Sequence, residues 1–275
     1  MKDLLNGPLV LAGAGKMGGA MLTGWLAGGL APSQVAVQDP GPPPEISALL
    51  KKHSIAAHES VAGALDGPPA VILMAVKPQV MDEVFPPLAT LAGPETLVLS
   101  VAAGRTMSGF EAHLPGGTAV VRSIPNTPAA IGRGITVCVA NAHVTDQQRM
   151  ICDQLLAAIG EVGWVDDESL IDVATAVSGS GPAYVFLLAE CLAQAGVDAG
   201  LTPALAARLA NATVSGSGEL LRRSDDPPST LRENVTSPGG TTYAALQVLM
   251  ADDGMKPLMS RAVAEATKRS RELAG

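Results

Sequence analysis

The run Gly13-Ala14-Gly15-Lys16-Met17-Gly18 has the G-x-G-x-x-G spacing of a loop that cradles dinucleotide phosphates, and it directly follows an apolar β-like stretch and opens a helix. In that context Gly13 permits a tight turn, Gly15 lets the backbone approach a pyrophosphate and Gly18 allows close helix packing, with the helix N-terminus attracting the phosphates. The competing reading is a glycine turn in a nucleotide-free domain. Asp39 stands 21 residues past Gly18, at the end of the second β-like stretch. An acid there accepts hydrogen bonds from the adenosine ribose and repels a 2′-phosphate. No Arg or Lys follows before Lys51, so NADH is predicted to serve at least as well as NADPH. Gln38-Asp39-Pro40-Gly41 is also turn chemistry in its own right.

Three further segments could carry chemistry. Lys77-Pro78-Gln79 and Arg122-Ser123-Ile124-Pro125-Asn126-Thr127-Pro128 each end a β-like run, at the sheet edge where open α/β folds bind ligands. Val235-Thr236-Ser237-Pro238-Gly239-Gly240-Thr241-Thr242 leads into a helix, and its small residues expose N–H groups and hydroxyls suited to a carboxylate; a flexible loop with a Thr N-cap is the alternative. No Lys occurs between Lys77 and Lys256, and His53, His58, His113 and His143 all lie before residue 166. A dehydrogenase acting on a hydroxyl needs a strong general base or acid beside the reacting oxygen. Reduction of a C=N bond asks only for positioning and a hydroxyl bonded to the nitrogen, because a protonated imine is already electrophilic.

These groups need a frame. Up to about residue 165 short β-like runs alternate with helical stretches: Leu9 to Ala12, Val35 to Gln38, Val71 to Val76, Leu97 to Val101, Ala119 to Ile124, Ile135 to Ala140 and Glu161 to Val165. Ala70 to Val76 is apolar throughout, as in a strand covered on both faces, so a Rossmann-like, doubly wound, mostly parallel sheet is predicted for residues 1–165. Residues 166–275 read as an all-α domain. There Ser180 before Gly181-Pro182 and Thr202 before Pro203 are expected N-caps. The helix from Pro182 to Ala195 is apolar on most faces, and Ala204, Ala207, Asn211, Val214, Gly218 and Leu221 form a face of mostly small residues. About 110 residues are too few to cover both, so an interlocked homodimer is expected, against ordinary intramolecular packing.

Composition bounds the function. The 275 residues are 47% hydrophobic and 16% charged with net charge −8, which excludes whole-chain disorder and offers no basic footprint for nucleic acid or an anionic membrane. No apolar run is seen that approaches the ~20 residues of a membrane helix, and Pro8 to Gly15 lacks a signal-peptide cleavage site. Cys138, Cys152 and Cys191 form no CxxC, so neither a metal knuckle nor a disulfide framework is expected and a reducing cytoplasm fits.

Taken in order, the glycine loop with Met17-Gly18, Ala75-Val76-Lys77-Pro78-Gln79, Arg122 to Pro128, Ala176-Val177-Ser178-Gly179-Ser180-Gly181-Pro182-Ala183-Tyr184 and Val235 to Thr242 resemble the pyrroline-5-carboxylate reductases over nearly the whole chain. The resemblance implies reduction of 1-pyrroline-5-carboxylate to L-proline with NADPH or NADH, the last step of proline synthesis, by dimers that assemble into decamers. Ser237, Gly239, Gly240, Thr241 and Thr242 would then hold the substrate carboxylate, with Thr242 bonding the ring nitrogen. Ala75, Val76, Lys77 and Pro78, Ala102-Ala103-Gly104, and Asn126-Thr127 would border the nicotinamide. His58-Glu59-Ser60 lacks the Asn often found before the third helix of such proteins, and Asp39 departs from their usual neutral residue. A hydroxyacid dehydrogenase of similar build and a catalytically silent dinucleotide sensor are the alternatives, and the absence of Lys from the first 90 residues of the helical domain counts against the former.

Overall fold

The computed structural model describes Met1 and residues 4–274, with side chains through Leu273. Two compact units divide the chain: one runs up to Gly179 and is rejoined from Thr267 onward, the other comprises Ser180–Ala266.

The first unit is built on eight strands, β1 (Leu9–Ala12), β2 (Val35–Gln38), β3 (Ala57–His58), β4 (Val71–Met74), β5 (Leu97–Ser100), β6 (Ala119–Pro125), β7 (Gly134–Ala140) and β8 (Gly160–Trp164). They lie in the order β3-β2-β1-β4-β5-β6-β7-β8, and the first six pair in parallel. β7 runs antiparallel to β6, and β8 follows it in parallel. The order turns back on itself between β1 and β4, the switch point at which such sheets open a crevice. β1, β4 and β5 are buried at every position. Their alternate residues feed two cores: Leu9, Leu11, Leu73 and Leu99 on one face, Val10, Ile72, Met74 and Val98 on the other. Helices α1 (Lys16–Ala27), α2 (Pro44–Lys52), α3 (Met81–Ala89), α4 (Met107–Glu111) and α5 (Asp146–Leu156) belong to this unit. Trp25 of α1 is fully buried and its indole N–H donates to the Leu155 carbonyl of α5 at 2.8 Å. Thr145 and Gln148 start α5 with a reciprocal capping box. The mostly parallel, doubly wound sheet is therefore as expected, with the short β3 added at its edge beside β2.

The remaining helices are α6 (Leu170–Ala174), α7 (Gly181–Asp198), α8 (Pro203–Arg223), α9 (Pro228–Asn234), α10 (Thr241–Leu249) and α11 (Met255–Ala274). Two expectations are corrected here. Ser180 is not a capping residue: a π-helical turn, Thr175–Gly179, carries α6 into α7, and Ser180 has helical dihedrals with no capping bond. Thr202 does precede α8 in extended conformation, but its side chain makes no cap bond. Because of the π-turn, Leu170–Asp198 is one continuous helix of 29 residues, long and apolar enough by length and composition to cross a bilayer. That length comes from joining α6 and the π-turn to α7, and length and composition alone do not make the helix a membrane span.

α8 packs on α7 through its buried Ala206 and Ala210, and Gly196 admits that approach: a Cβ on it would lie 3.4 Å from that of Ala206. The small-residue face of Ala204, Ala207, Asn211 and Gly218 stays exposed. Within the chain α7 has no buried residue, and Phe186 and Leu187 are 64% and 57% exposed.

Candidate active site

The glycine loop sits between β1 and α1. Gly13 has φ +89°, and a Cβ there would meet the Ala75 backbone at 2.8 Å, so only glycine fits. A Cβ on Gly18 would strike the Gly13 carbonyl. Gly15, by contrast, has nothing within 4 Å of a would-be Cβ. Two of the three glycines thus close the turn on itself and the middle one leaves an open approach. Gly15 is also the N-cap of α1, and a glycine has no side chain to occupy the first-turn N–H groups. That combination fits the pyrophosphate of a dinucleotide. Ala14 is buried, Met17 half-buried and Lys16 exposed.

Asp39 follows β2 and holds this loop from the side. Its carboxylate accepts the Ala14 N–H at 2.7 Å and the Gly41 N–H at 2.9 Å. The second bond is the Asx turn expected of Asp-Pro-Gly, and the first ties that turn to the glycine loop. A carboxylate has about four acceptor sites, so Asp39 keeps capacity for hydroxyls of a ligand.

A cleft of about 440 Å³ opens beside both. It brings together Gly13, Gly15, Asp39, Ala75, Val76 and Lys77 among the predicted residues. Pro78 after β4, Ala102, Ala103 and Gly104 after β5, and Asn126 and Thr127 after β6 are outside its lining, but each follows the carboxyl end of β4 or of the strands that come next along the sheet, β5 and β6. Arg105 ties two of these loops together: its guanidinium donates to the Pro78 carbonyl at 2.8 Å and to both oxygens of Asp82, which holds the Asp82 carboxyl below the usual carboxylate range. The Asn126 side chain accepts the Ile135 N–H at 3.0 Å and so fixes the β6–β7 connection. Arg122, buried on β6, is paired with Glu168, which also accepts the Met107 N–H at 2.6 Å.

In the helical unit, Ser237-Pro238-Gly239-Gly240 forms a turn closed by the Gly240 N–H on the Ser237 carbonyl at 3.0 Å. Pro238 at the second position and Gly239 at φ +71° are type II turn chemistry. Gly240 is the N-cap of α10, and Thr241 and Thr242 are its first residues. Ser237 is exposed and Thr242 half-buried, and neither hydroxyl bonds to another group among the described residues. Thr236 is different: its hydroxyl donates to the Arg232 carbonyl at 2.6 Å. The arrangement offers two hydroxyls and open helix N-terminal N–H groups, a receptor for an anion.

Comparison with known proteins decides the family. A family profile described as pyrroline-5-carboxylate reductase dimerisation matches residues 168–273, and one described as NADP oxidoreductase, coenzyme F420-dependent, matches residues 9–104. The pyrroline-5-carboxylate reductase of Pseudomonas aeruginosa is 40% identical over 266 residues, covering 97% of this chain and 96% of its own length. That of Pisum sativum is 35% identical over 263 residues, covering 95% and 94%. The chain belongs to the pyrroline-5-carboxylate reductase family. The solved reductase from Coxiella burnetii superposes with TM-score 0.90 at 32% identity over 98% of this chain and 99% of that one. The Plasmodium falciparum enzyme, solved with NADP bound, does so with TM-score 0.78 at 27% identity over 98% and 99%.

The segment matched by the dimerisation profile includes α7 and α8, the long apolar helix among them. The cleft also holds residues the sequence reading missed. Gln38, Pro40, Glu59, Val80, Glu83 and Val84 line the cleft as well. Val80, Glu83 and Val84 were findable from an apolar strand running into a helix. Glu59 falls in the His58-Glu59-Ser60 stretch noted above only for the Asn it lacks, and β3 before it, with two residues, shows no periodicity that would place it at the cleft.

Proposed function

We propose that this protein reduces 1-pyrroline-5-carboxylate to L-proline with NADPH or NADH, the closing step of proline synthesis. What carries the assignment is the likeness over 97% of the chain to a reductase of that name. The dinucleotide, when bound, supplies a hydride to the imine carbon. Residues 1–165 serve as its binding domain: Gly13 to Gly18 hold the pyrophosphate, Asp39 the adenosine ribose, and Ala75 to Pro78, Ala102 to Gly104, Asn126 and Thr127 border the nicotinamide. The open approach at Gly15 and the bonds that fix Asp39, Pro78 and Asn126 support these roles.

Residues 166–275 take the substrate and the partner subunit. The carboxylate is received by Ser237, Gly239, Gly240 and Thr241, and the Thr242 hydroxyl bonds the ring nitrogen. Charge on the iminium is consumed as the C–H bond forms, so the hydroxyl's work is alignment, and the reaction needs no strong base in this unit. The assembly is a homodimer that can build decamers, in the cytoplasm, where the three free thiols among the described residues are stable.

The test is oxidation of the reduced cofactor by purified protein, with 1-pyrroline-5-carboxylate set against 3-hydroxy acids under oxidised cofactor. Turnover confined to the imine is expected. Turnover with hydroxy acids alone, or with neither, would overturn the assignment.

A further inference from the structure

The cleft beside the glycine loop has an uneven charge distribution. Its lining includes three carboxylates, Asp39, Glu59 and Glu83, and one cation, Lys77. Sheet order separates them. Asp39 follows β2 and Glu59 follows β3, which is paired directly with β2; the Asp39 N–H donates to the carbonyl of His58, the residue before Glu59. Lys77 follows β4, on the far side of β1, so two strand spacings, about 10 Å, lie between its strand and β2. The β2–β3 end of the cleft is therefore acidic on both of its strands, and the cleft's one cation is rooted at the other end. His58 does not relieve this, since it lines a separate depression with Gln34, Ser54 and Asp66.

We propose that Glu59 acts with Asp39 as a specificity-determining pair that makes the site select NADH over NADPH. The inference rests on the reading of this cleft as the dinucleotide site. Two carboxylates can accept hydrogen bonds from the 2′- and 3′-hydroxyls of an adenosine ribose, whereas a 2′-phosphate brings about two negative charges to two more, with no cation lining that end of the cleft among the described residues. The two acids have separable roles. Asp39 is committed to structure, because it accepts the Ala14 and Gly41 N–H groups. Replacing it disturbs the glycine loop and weakens both cofactors. Glu59 accepts no hydrogen bond among the described residues, so its charge can be removed without dismantling the loop.

The experiment is equilibrium binding of NADH and NADPH, and of their fragments 5′-AMP and 2′,5′-ADP, to the full-length wild type and to Glu59→Gln, followed by calorimetry at low and at high salt. The wild type is expected to bind NADH at least tenfold more tightly than NADPH, with the ratio shrinking as salt rises because screening weakens charge repulsion. Glu59→Gln should narrow the ratio about fivefold, chiefly through tighter NADPH and 2′,5′-ADP binding, while thermal unfolding stays at the wild-type temperature. Equal or tighter binding of NADPH by the wild type would overturn the proposal, as would a ratio that Glu59→Gln leaves unchanged. Failure of the wild type to bind any of the four would instead overturn the assignment of the cleft itself.

Discussion

Ser237 opens the turn that leads into α10 and Thr242 lies just past it; they differ in burial, and the difference predicts different kinetics. Thr242 is half-buried at the first turn of α10, whereas Ser237 is exposed at the start of the turn. A hydroxyl that aligns the imine acts most in the transition state, so Thr242→Ala is expected to lower kcat by about 10- to 1000-fold with little change in cofactor affinity. A carboxylate is held alike in ground and transition states, so Ser237→Ala should mainly raise KM. Steady-state kinetics with separate cofactor titrations check both; unchanged kcat with weakened cofactor binding in Thr242→Ala would place the substrate elsewhere. The cysteines give a second test. Burial pushes the thiols of Cys138 and Cys152 well above the usual thiol range, whereas Cys191 is exposed in the isolated chain. Only thiolates alkylate quickly, so mass spectrometry after iodoacetamide at neutral pH should find Cys138 and Cys152 unmodified until the protein is denatured. At this scale the sequence was most legible where glycine was demanded by geometry, as at Gly13 and Gly18. It was ambiguous at Asp39, where turn former and ligand acceptor were posed as alternatives; the Asx turn and the bond to Ala14 are both present, and acceptor capacity remains.

Elements were legible in proportion to their length and apolar content. β1 and β4 are apolar throughout and β5 up to its last residue, Ser100, and all three ended within two residues of expectation, because a strand buried on both faces has few polar positions to blur it. β3 escaped notice at two residues, and the continuity of α6 into α7 was hidden by Gly179, Gly181 and Pro182, which read locally as a break. The root of that helix is fastened by long-range pairs no local pattern announces. Glu168 takes both Arg122 and the Met107 N–H, and Asp172 accepts the Ser270 hydroxyl at 2.6 Å, tying the C-terminal end of α11 to α6. Arg122 is 9% exposed at its side chain and Glu168 36%, so removing the arginine leaves a partly solvated carboxylate without its partner. Arg122→Met is expected to destabilise the protein by about 3 kcal/mol, the lower end of the range for breaking a buried pair. Urea denaturation of the wild type and variant checks this, and a loss under about 1 kcal/mol would show that solvent already screens the pair.

At the scale of the whole chain, the helices of the second unit expose large apolar side chains. Phe186, Leu187, Leu220 and Val248 are each more than half exposed, and the small-residue face of α8 points away from the Ala206–Ala210 seam that packs on α7. So many large apolar side chains left exposed on a few helices mark an interaction surface rather than a finished one, and the dimerisation profile covers the same residues. The composition argument, too many apolar helices for too little chain, made this feature legible before any coordinates, although it could not say which helix face would stay open. Ala207 lies on that open face. If a second copy covers it, an arginine there is buried without a counter-ion on formation of the dimer, while in the monomer it remains solvated. Ala207→Arg is thus expected to weaken association by at least about 100-fold, on the scale of a few kcal/mol for an unpaired buried charge, yet to leave the dinucleotide-binding unit folded. Light scattering across a dilution series, with circular dichroism and cofactor binding on the same samples, separates dissociation from unfolding. A wild type that persists as a folded monomer at nanomolar concentration, or an Ala207→Arg variant with unchanged mass, would show that the exposed face is covered in some other way.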